Sequence, residues 1–328
     1  VPHGGNFDGV VGVVAALELL RAAPENLKVA VPLELVIWAE EEGTTFGLGM
    51  LGSRAFVGEL GADRLAQLKG RDGKSYVESG APHGVDASQI GKDVLNRGAV
   101  LGLIEVHVEQ GPGLWKDQSP AGIVTAIAGR RQYQAELCGV ANHAGSTQMS
   151  DRADALAGAA EIVLAVERLG RELGHRSVAT VGRIECRPNA VNVIADQVDF
   201  TIDLRSPAME SLHKGDKSIR QLVESIAAHR HLTVALDVAE TQSPVEMDPR
   251  LCAKLRRAAS ARSGDEIPDT TSGALHDAAV LAPKVPTAML FVASRDGISH
   301  NPEEFSRIED IALAAGILMD TVRDRRLE

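Results

Sequence analysis

The sequence predicts an α/β fold: an αβα layered domain interrupted by a smaller βαββαβ sandwich. Three observations predict it. A chain of 328 residues is longer than one hydrophobic core usually serves. Apolar strand-like runs and helical patterns share both ends of the chain. Between about residues 128 and 238 the order becomes strand, helix, strand, strand, helix, strand, which is that of a small open-faced sandwich. The expected domains are therefore residues 1–127 and 239–328 as one body, with residues 128–238 as an inserted domain.

Taken in order, residues 9–22 are apolar on several faces at helical spacing, so a buried helix is expected there. Leu33–Ala39 has the β-branched and aromatic content of a buried strand and runs straight into Glu40, Glu41, Glu42 and Gly43. Residues 60–98 are polar and Gly-rich and read as peripheral. Val100–Val108 is a second buried strand, followed by Glu109, Gln110 and Gly111. In the insert, Gln132–Leu137 reads as a strand. Arg152–Leu173 reads as a helix with Leu156, Ala160, Val163 and Leu169 on one side and Ser150 as N-cap. Val178–Glu185 and Val191–Leu204 read as strands separated by a turn at Pro188 and Asn189. Ile219, Leu222, Val223 and Ile226 mark a second helix, and Leu232–Val238 the last strand. The first pattern then resumes, with helices near 248–261 and 273–282, a strand at Thr287–Ala293 and a final helix from Ile308.

Composition narrows the function. Apolar residues make up 44% and charged residues 24%, which is ordinary globular usage. Aromatics at 3% argue against stacking on bases or sugars as the main mode of binding. A net charge of −11 without a Lys/Arg block argues against a nucleic-acid partner. A small anionic substrate would need a localised Arg. Cys138, Cys186 and Cys252 stand far apart with no CxxC spacing, which predicts reduced thiols in a cytoplasmic protein. No run of about 18 apolar residues predicts a membrane span, and no signal peptide is evident. The chain opens at Val1-Pro2-His3-Gly4-Gly5, without Met, in what reads as the middle of a loop.

The chemically capable residues share a location. Asp8 precedes a helix, Glu41 and Glu42 follow one strand, His107 lies near the end of another, and His300 follows the strand 287–293 by a short loop. In open α/β sheets, sites gather at the carboxyl ends of strands. Carboxylates and neutral imidazoles without thiolates suit Zn²⁺, Mn²⁺ or Co²⁺ with an open coordination position. Each residue also has an ordinary explanation. Asp8 could be an N-cap, Glu40–Glu42 a solvated face, His107 a hydrogen-bonded core histidine, and His300 a surface loop residue. Against the solvated face, a triple negative charge abutting an apolar strand is costly unless a cation is near. Spacing alone does not choose among Glu40, Glu41 and Glu42.

Seven segments go further. GGNFDGVVGVVAALE, AEEEGTTFGLGMLGSRA, EVHVEQGP, ANHAGST with Met149, NAVNVI with DLRSP, SGALHDA and GISHNPEEF together resemble the hydantoinase/carbamoylase family of amidohydrolases, from Val1 to about residue 305. That family includes N-carbamoyl-L-amino-acid hydrolases, β-ureidopropionases and allantoate amidohydrolases, and is related to aminoacylases and two-zinc peptidases. The resemblance implies two divalent cations, Zn²⁺ or Mn²⁺ with Co²⁺ or Ni²⁺ as substitutes. Asp8 would bridge them, His107 would complete one site, and Glu42 and His300 the other. Glu41 would be the general base. His143, Asn192 and Arg205 in the insert would bind substrate, with Gln110 helping from the other domain. His143 would also stabilise the oxyanion. The resemblance further implies that residues 128–238 are a lid or dimerisation domain, through which a homodimer is joined. It places a first ligand, a His eleven residues ahead of Asp8, before Val1. Thr45 and Gln148 stand where relatives usually carry Arg and Pro. The expected activity is hydrolysis of a ureido C–N bond in a small carboxylate. Carbamoyl-amino-acid hydrolase leads, and FGLGMLGSRA favours it over allantoate amidohydrolase. A peptidase or aminoacylase is opposed by NHAG and HVEQG. A metal-deficient dimerisation or binding module is opposed by the intact Glu41, Glu42, His107 and His300.

Overall fold

The structure, a computed structural model, describes residues 4–26, 32–92, 94–95, 98–174 and 176–324. Val1, Pro2 and His3, read as part of a loop, lie outside them. Along the chain the main elements are α1 (Val10–Asn26), α2 (Leu51–Phe56), α3 (Ala62–Gln67), α4 (Tyr76–Gly80), β1 (Leu103–Val108), α5 (Gly113–Lys116), β2 (Ala121–Ile127) and β3 (Gly129–Cys138). Then follow α6 (Ala155–Leu173), β4 (Val178–Arg187), β5 (Gln197–Ser206), α7 (Met209–His229), β6 (Thr233–Gln242) and β7 (Val245–Glu246). The last are α8 (Pro249–Ser263), β8 (Asp269–Ser272), α9 (Asp277–Leu281), β9 (Thr287–Val292) and α10 (Ile308–Arg323). The chain divides into two compact units, residues 1–127 with 246–328, and residues 128–245. The fold is thus mixed α/β with two sheets, as the sequence predicts.

In the larger unit the sheet runs β1-β9-β2-β7, with β8 also on β2. β1 and β9 are parallel, from Leu103 opposite Thr287 to Val108 opposite Val292. Their carboxyl ends therefore coincide, and the residues that follow both strands emerge at one edge. Every residue of β9 is buried, which explains its unbroken apolar run. β2 and β8 were not expected: in β2 (AGIVTAI) Ala121, Gly122 and Ala126 dilute the β-branched Ile123, Val124, Thr125 and Ile127.

Two expectations for this unit need correction. Leu33–Ala39 is not a strand: residues 32–38 have no ladder assigned, and Ile37 is 67% exposed. β-type composition favours a pleated surface but does not supply a neighbour to pair with. α1 is not buried all round. Val11, Ala15 and Leu19 are buried at helical spacing, while Val10, Val14 and Leu17 are exposed. The peripheral segment holds the short helices α3 and α4, with Leu51, Leu60, Leu65 and Leu68 forming a small core of their own.

The smaller unit is the expected βαββαβ sandwich, with strand order β4-β5-β3-β6. β5 alternates buried and half-buried throughout its length, so Phe200, Ile202 and Leu204 face the helices and Asp199, Thr201, Asp203 and Arg205 the other side. The second strand of the pair begins at Gln197 rather than Val191, because residues 191–196 form a turn and loop. β6 runs on to Gln242, beyond residue 238.

α6 corrects two further readings. It starts at Ala155, and its N-cap is Asp154, whose carboxylate accepts from Leu156 N and Ala157 N at 3.0 and 3.1 Å. Ser150 lies in a separate short turn and bonds Asp151. The buried stripe is Ala155, Ala159, Ile162, Val166, Leu169 and Leu173, whereas Leu156 is 45% exposed. Three of the expected residues, Leu156, Ala160 and Val163, lie one position past the buried stripe, because apolar side chains extend around the helix beyond its buried face. Asp154→Ala is expected to cost about 1 kcal/mol in urea unfolding, and Ser150→Ala less than about 0.5 kcal/mol. The opposite order would contradict this cap.

Candidate metal centre and active site

Asp8 is placed by helix packing. α1 lies against β1, and Gly12 permits the approach, since a Cβ there would sit 2.3 Å from Val106 O. That contact brings the residue just ahead of α1 to the carboxyl end of β1, where His107 sits. His107 Nε2 is 3.1 Å from Asp8 Oδ1. Its Nδ1 donates to Val108 O at 2.8 Å, which fixes the ring and aims Nε2 at Asp8.

The other oxygen of Asp8 is more crowded. Oδ2 accepts from Gln110 Nε2 at 2.6 Å and from Ser299 Oγ at 3.0 Å, and lies 3.3 Å from His300 Nε2. His300 Nε2 is also 3.1 Å from Glu42 Oε1. The Glu40–Glu42 segment is anchored through its backbone: Met50 N, Leu51 N and Gly52 N donate to Glu41 O, Glu40 O and Ala39 O. Glu40, Gln110 and His300 all have positive φ, at 53°, 56° and 55°.

Asp8, Glu42 and His300 each offer a ligating atom within 4.8 Å of the others, and so do Glu105, His107 and His276. The structure thus brings together Asp8, Glu42, His107 and His300, with Gln110 on Asp8. Carboxylates and imidazoles converging without a thiolate fit a borderline divalent cation such as Zn²⁺ or Mn²⁺.

Glu41 belongs to neither of these ligating groups. Burial, then Asp277 and Glu42, push its carboxyl up to about 8. Burial likewise raises Asp277 to about 6 and Glu105 to about 7. Burial opposes charge on His107, but the bond to Asp8 and the charge of Glu105 overcome it, to about 9. His276, buried and facing His107 edge-on at 4.6 Å between ring centres, is held well below the usual histidine value by burial and by His107. The single anion of Asp8 is favoured despite burial, through His107, Ser299 and Gln110.

Five neighbours received no role from the sequence: Glu105, His276, Asp277, Ser299 and Glu304. Glu105 carries a signal, since it lies two residues before His107 and shares its strand face. Glu304 carries none, because a buried acid in a polar loop looks like any surface Glu.

The smaller unit organises its own group. His143 pairs with Val193 as an isolated bridge, and Ala144 N donates to Asn192 O at 2.9 Å, so His143 and Asn192 sit on adjoining loops. His143 Nδ1 accepts from Gly145 N and Ser146 N at 3.0 and 3.2 Å. Two donors on Nδ1 leave the proton of the neutral ring on Nε2, which makes Nε2–H a donor. Arg205 shares a face with Asp203, and its Nε donates to Asp203 Oδ1 at 2.8 Å.

The model of peptidase family M20/M25/M40 matches residues 3–324. The N-carbamoyl-L-amino acid amidohydrolase of Geobacillus stearothermophilus is 37% identical over 98% of this chain and 78% of its own length. The allantoate amidohydrolase of Bacillus subtilis is 33% identical over 98% of this chain and 77% of its own length. A crystal structure of a hydantoinase/carbamoylase family amidase from Burkholderia multivorans superposes with a TM-score of 0.91 at 37% identity, covering 100% of this chain and 79% of the other. The chain belongs to peptidase family M20/M25/M40, in its hydantoinase/carbamoylase branch. It is a hydrolase of linear amide C–N bonds, of a dinuclear-metal family.

Proposed function

We propose that this chain hydrolyses N-carbamoyl-L-amino acids, releasing the amino acid, ammonia and carbon dioxide, with Zn²⁺ or Mn²⁺ as the cations. The observation that carries this is the placement of Asp8, with His107 at one carboxylate oxygen and His300, itself on Glu42, at the other. Asp8 would bridge two cations, with His107 on one and Glu42 and His300 on the other. When bound, the cations polarise the ureido carbonyl and acidify water.

The chain's own residues do the rest. Glu41 takes the proton of the attacking water and returns it to the leaving nitrogen. His143 donates from Nε2 to the oxygen on which charge develops. Arg205, oriented by Asp203, offers a planar fork to the substrate carboxylate, and Asn192 adds an amide donor. Gln110, in the larger unit, orients Asp8 and assists substrate binding. A cytoplasmic location agrees with the three free cysteines, and no helix among the described residues is long and apolar enough to cross a membrane.

A substrate panel tests the activity: Mn²⁺-loaded protein should turn over N-carbamoyl-L-amino acids faster than allantoate, β-ureidopropionate or N-acyl amino acids. Allantoate as the best substrate would reassign the enzyme within its family, and an N-acyl amino acid would contradict the ureido reading.

A homodimer through residues 128–238 is part of the same proposal. β4 and β6 are the edges of the smaller sheet, and Val178, Ile184 and Val238 on them are exposed. Light scattering should give twice the chain mass at micromolar concentration; a stable monomer there would contradict the dimer.

A further inference from the structure

We infer that Glu304 is a positioning residue for the metal centre: its buried carboxylate clamps the backbone of the Asp8 loop and sets the hydroxyl that bonds Asp8. This rests on the proposed metal role of Asp8. Glu304 is 4% exposed. Its Oε2 accepts from Phe7 N at 2.8 Å and from Asp8 N at 3.0 Å, and its Oε1 lies 3.1 Å from Ser299 Oγ. Ser299 Oγ is in turn 3.0 Å from Asp8 Oδ2. One carboxylate therefore holds Asp8 twice, through the main chain and through a serine. It does so across nearly the whole sequence, and beside His300, four residues earlier.

The loop is built to receive it. An ideal Cβ on Gly5 would lie 2.0 Å from Glu304 Oε2 and 2.4 Å from its Cδ. Only glycine at position 5 lets the carboxylate reach both amides. Phe7 packs edge-on against Phe305 with ring centres 5.9 Å apart, so the residues next to the clamp are also held together by apolar contact. Burying a carboxylate is costly unless its oxygens are matched by donors, and here two amides and a hydroxyl match them.

The single proton of Ser299 faces two acceptors, Asp8 and Glu304, and satisfies one at a time. This makes the conservative variant informative. In Glu304→Gln the side-chain oxygen can still accept from both amides. The new NH₂ can donate to Ser299 Oγ, and the serine proton then goes to Asp8 without competition. Removing the clamp should not be equivalent to removing its charge.

The test uses the 328-residue chain with Mn²⁺ alone as probe, in two measurements. Hydrogen exchange of residues 4–10 in metal-free protein reports the clamp itself, and calorimetric titration with Mn²⁺ reports its consequence. Glu304→Ala and Gly5→Ala should both lose amide protection at Phe7 and Asp8 and weaken Mn²⁺ binding about 10–100-fold, the usual effect of losing an outer-shell partner of a metal ligand. Glu304→Gln should retain protection and bind Mn²⁺ within about threefold of wild type, well below that range. Should Glu304→Ala fail to fold, Gly5→Ala and Glu304→Gln still decide. Unchanged protection in the alanine variants, or protection lost with Mn²⁺ affinity unchanged, would overturn the inference. So would Glu304→Gln behaving like Glu304→Ala. A wild-type chain that binds no Mn²⁺ would overturn the metal reading and this role within it, while the exchange data would still decide whether the clamp exists.

Discussion

Glu41→Gln is expected to lower kcat for an N-carbamoyl-L-amino acid by about 10²–10⁴-fold, the usual worth of a general base, while the protein keeps its affinity for Mn²⁺. Gln has nearly the shape of Glu but cannot take up a proton near neutral pH, so the substitution removes one chemical capacity. Metal should stay because Glu41 belongs to neither ligating group; Glu42, one residue on, does. The backbone of the segment is anchored independently of the side chain, by Met50 N on Glu41 O at 2.8 Å. Glu42→Ala is the control that separates the two neighbours: it should lose metal as well as activity. Turnover of the Gln variant within about tenfold of wild type would exclude Glu41 as the base.

The second large effect concerns recognition. Arg205→Lys is expected to raise KM for carbamoyl amino acids about 10–150-fold, with kcat and metal content little changed. The range corresponds to losing a charge-assisted hydrogen bond worth about 1.5–3 kcal/mol. A chain carrying −11 offers no long-range attraction to an anionic substrate, so a local fork must supply the affinity. Lys keeps the charge but presents no planar pair of donors. Arg205 stands on the solvent side of β5 beside Asp203, which aims its guanidinium. For a carbamoyl amino acid amide, which lacks the carboxylate, the variant should differ little from wild type. Equal effects on both substrates, or on neither, would remove Arg205 from carboxylate binding and reopen the substrate class.

The sequence revealed more of the site than of the strands around it. Asp8, Glu42, His107 and His300 were legible mainly through the family resemblance; position alone gave His107 and His300, at or beyond the ends of the parallel β1 and β9, but did not choose among Glu40, Glu41 and Glu42. The smaller unit was legible because β5 alternates and α6 and α7 are amphipathic, so burial leaves a periodic trace. The helix start was lost at Ser150 because a serine before a helical run looks like a cap whether or not the turn continues. β2 was missed because Ala121, Gly122 and Ala126 dilute its β-branched Ile123, Val124, Thr125 and Ile127, and its partners β8 and β9 lie far along the chain. Leu33–Ala39 failed the opposite way: its composition suits a strand, but no strand in the described residues pairs with it. Glu304 was invisible because its importance lies in two amides nearly 300 positions away in the sequence.

The account stands most directly on where metal binds. Crystals of the chain soaked in Mn²⁺ and measured at a wavelength giving an anomalous signal would show this. The account predicts an anomalous peak bound by Asp8, Glu42 and His300, with any second peak at Asp8 and His107. Peaks elsewhere on the protein, with those four side chains unliganded, would contradict it.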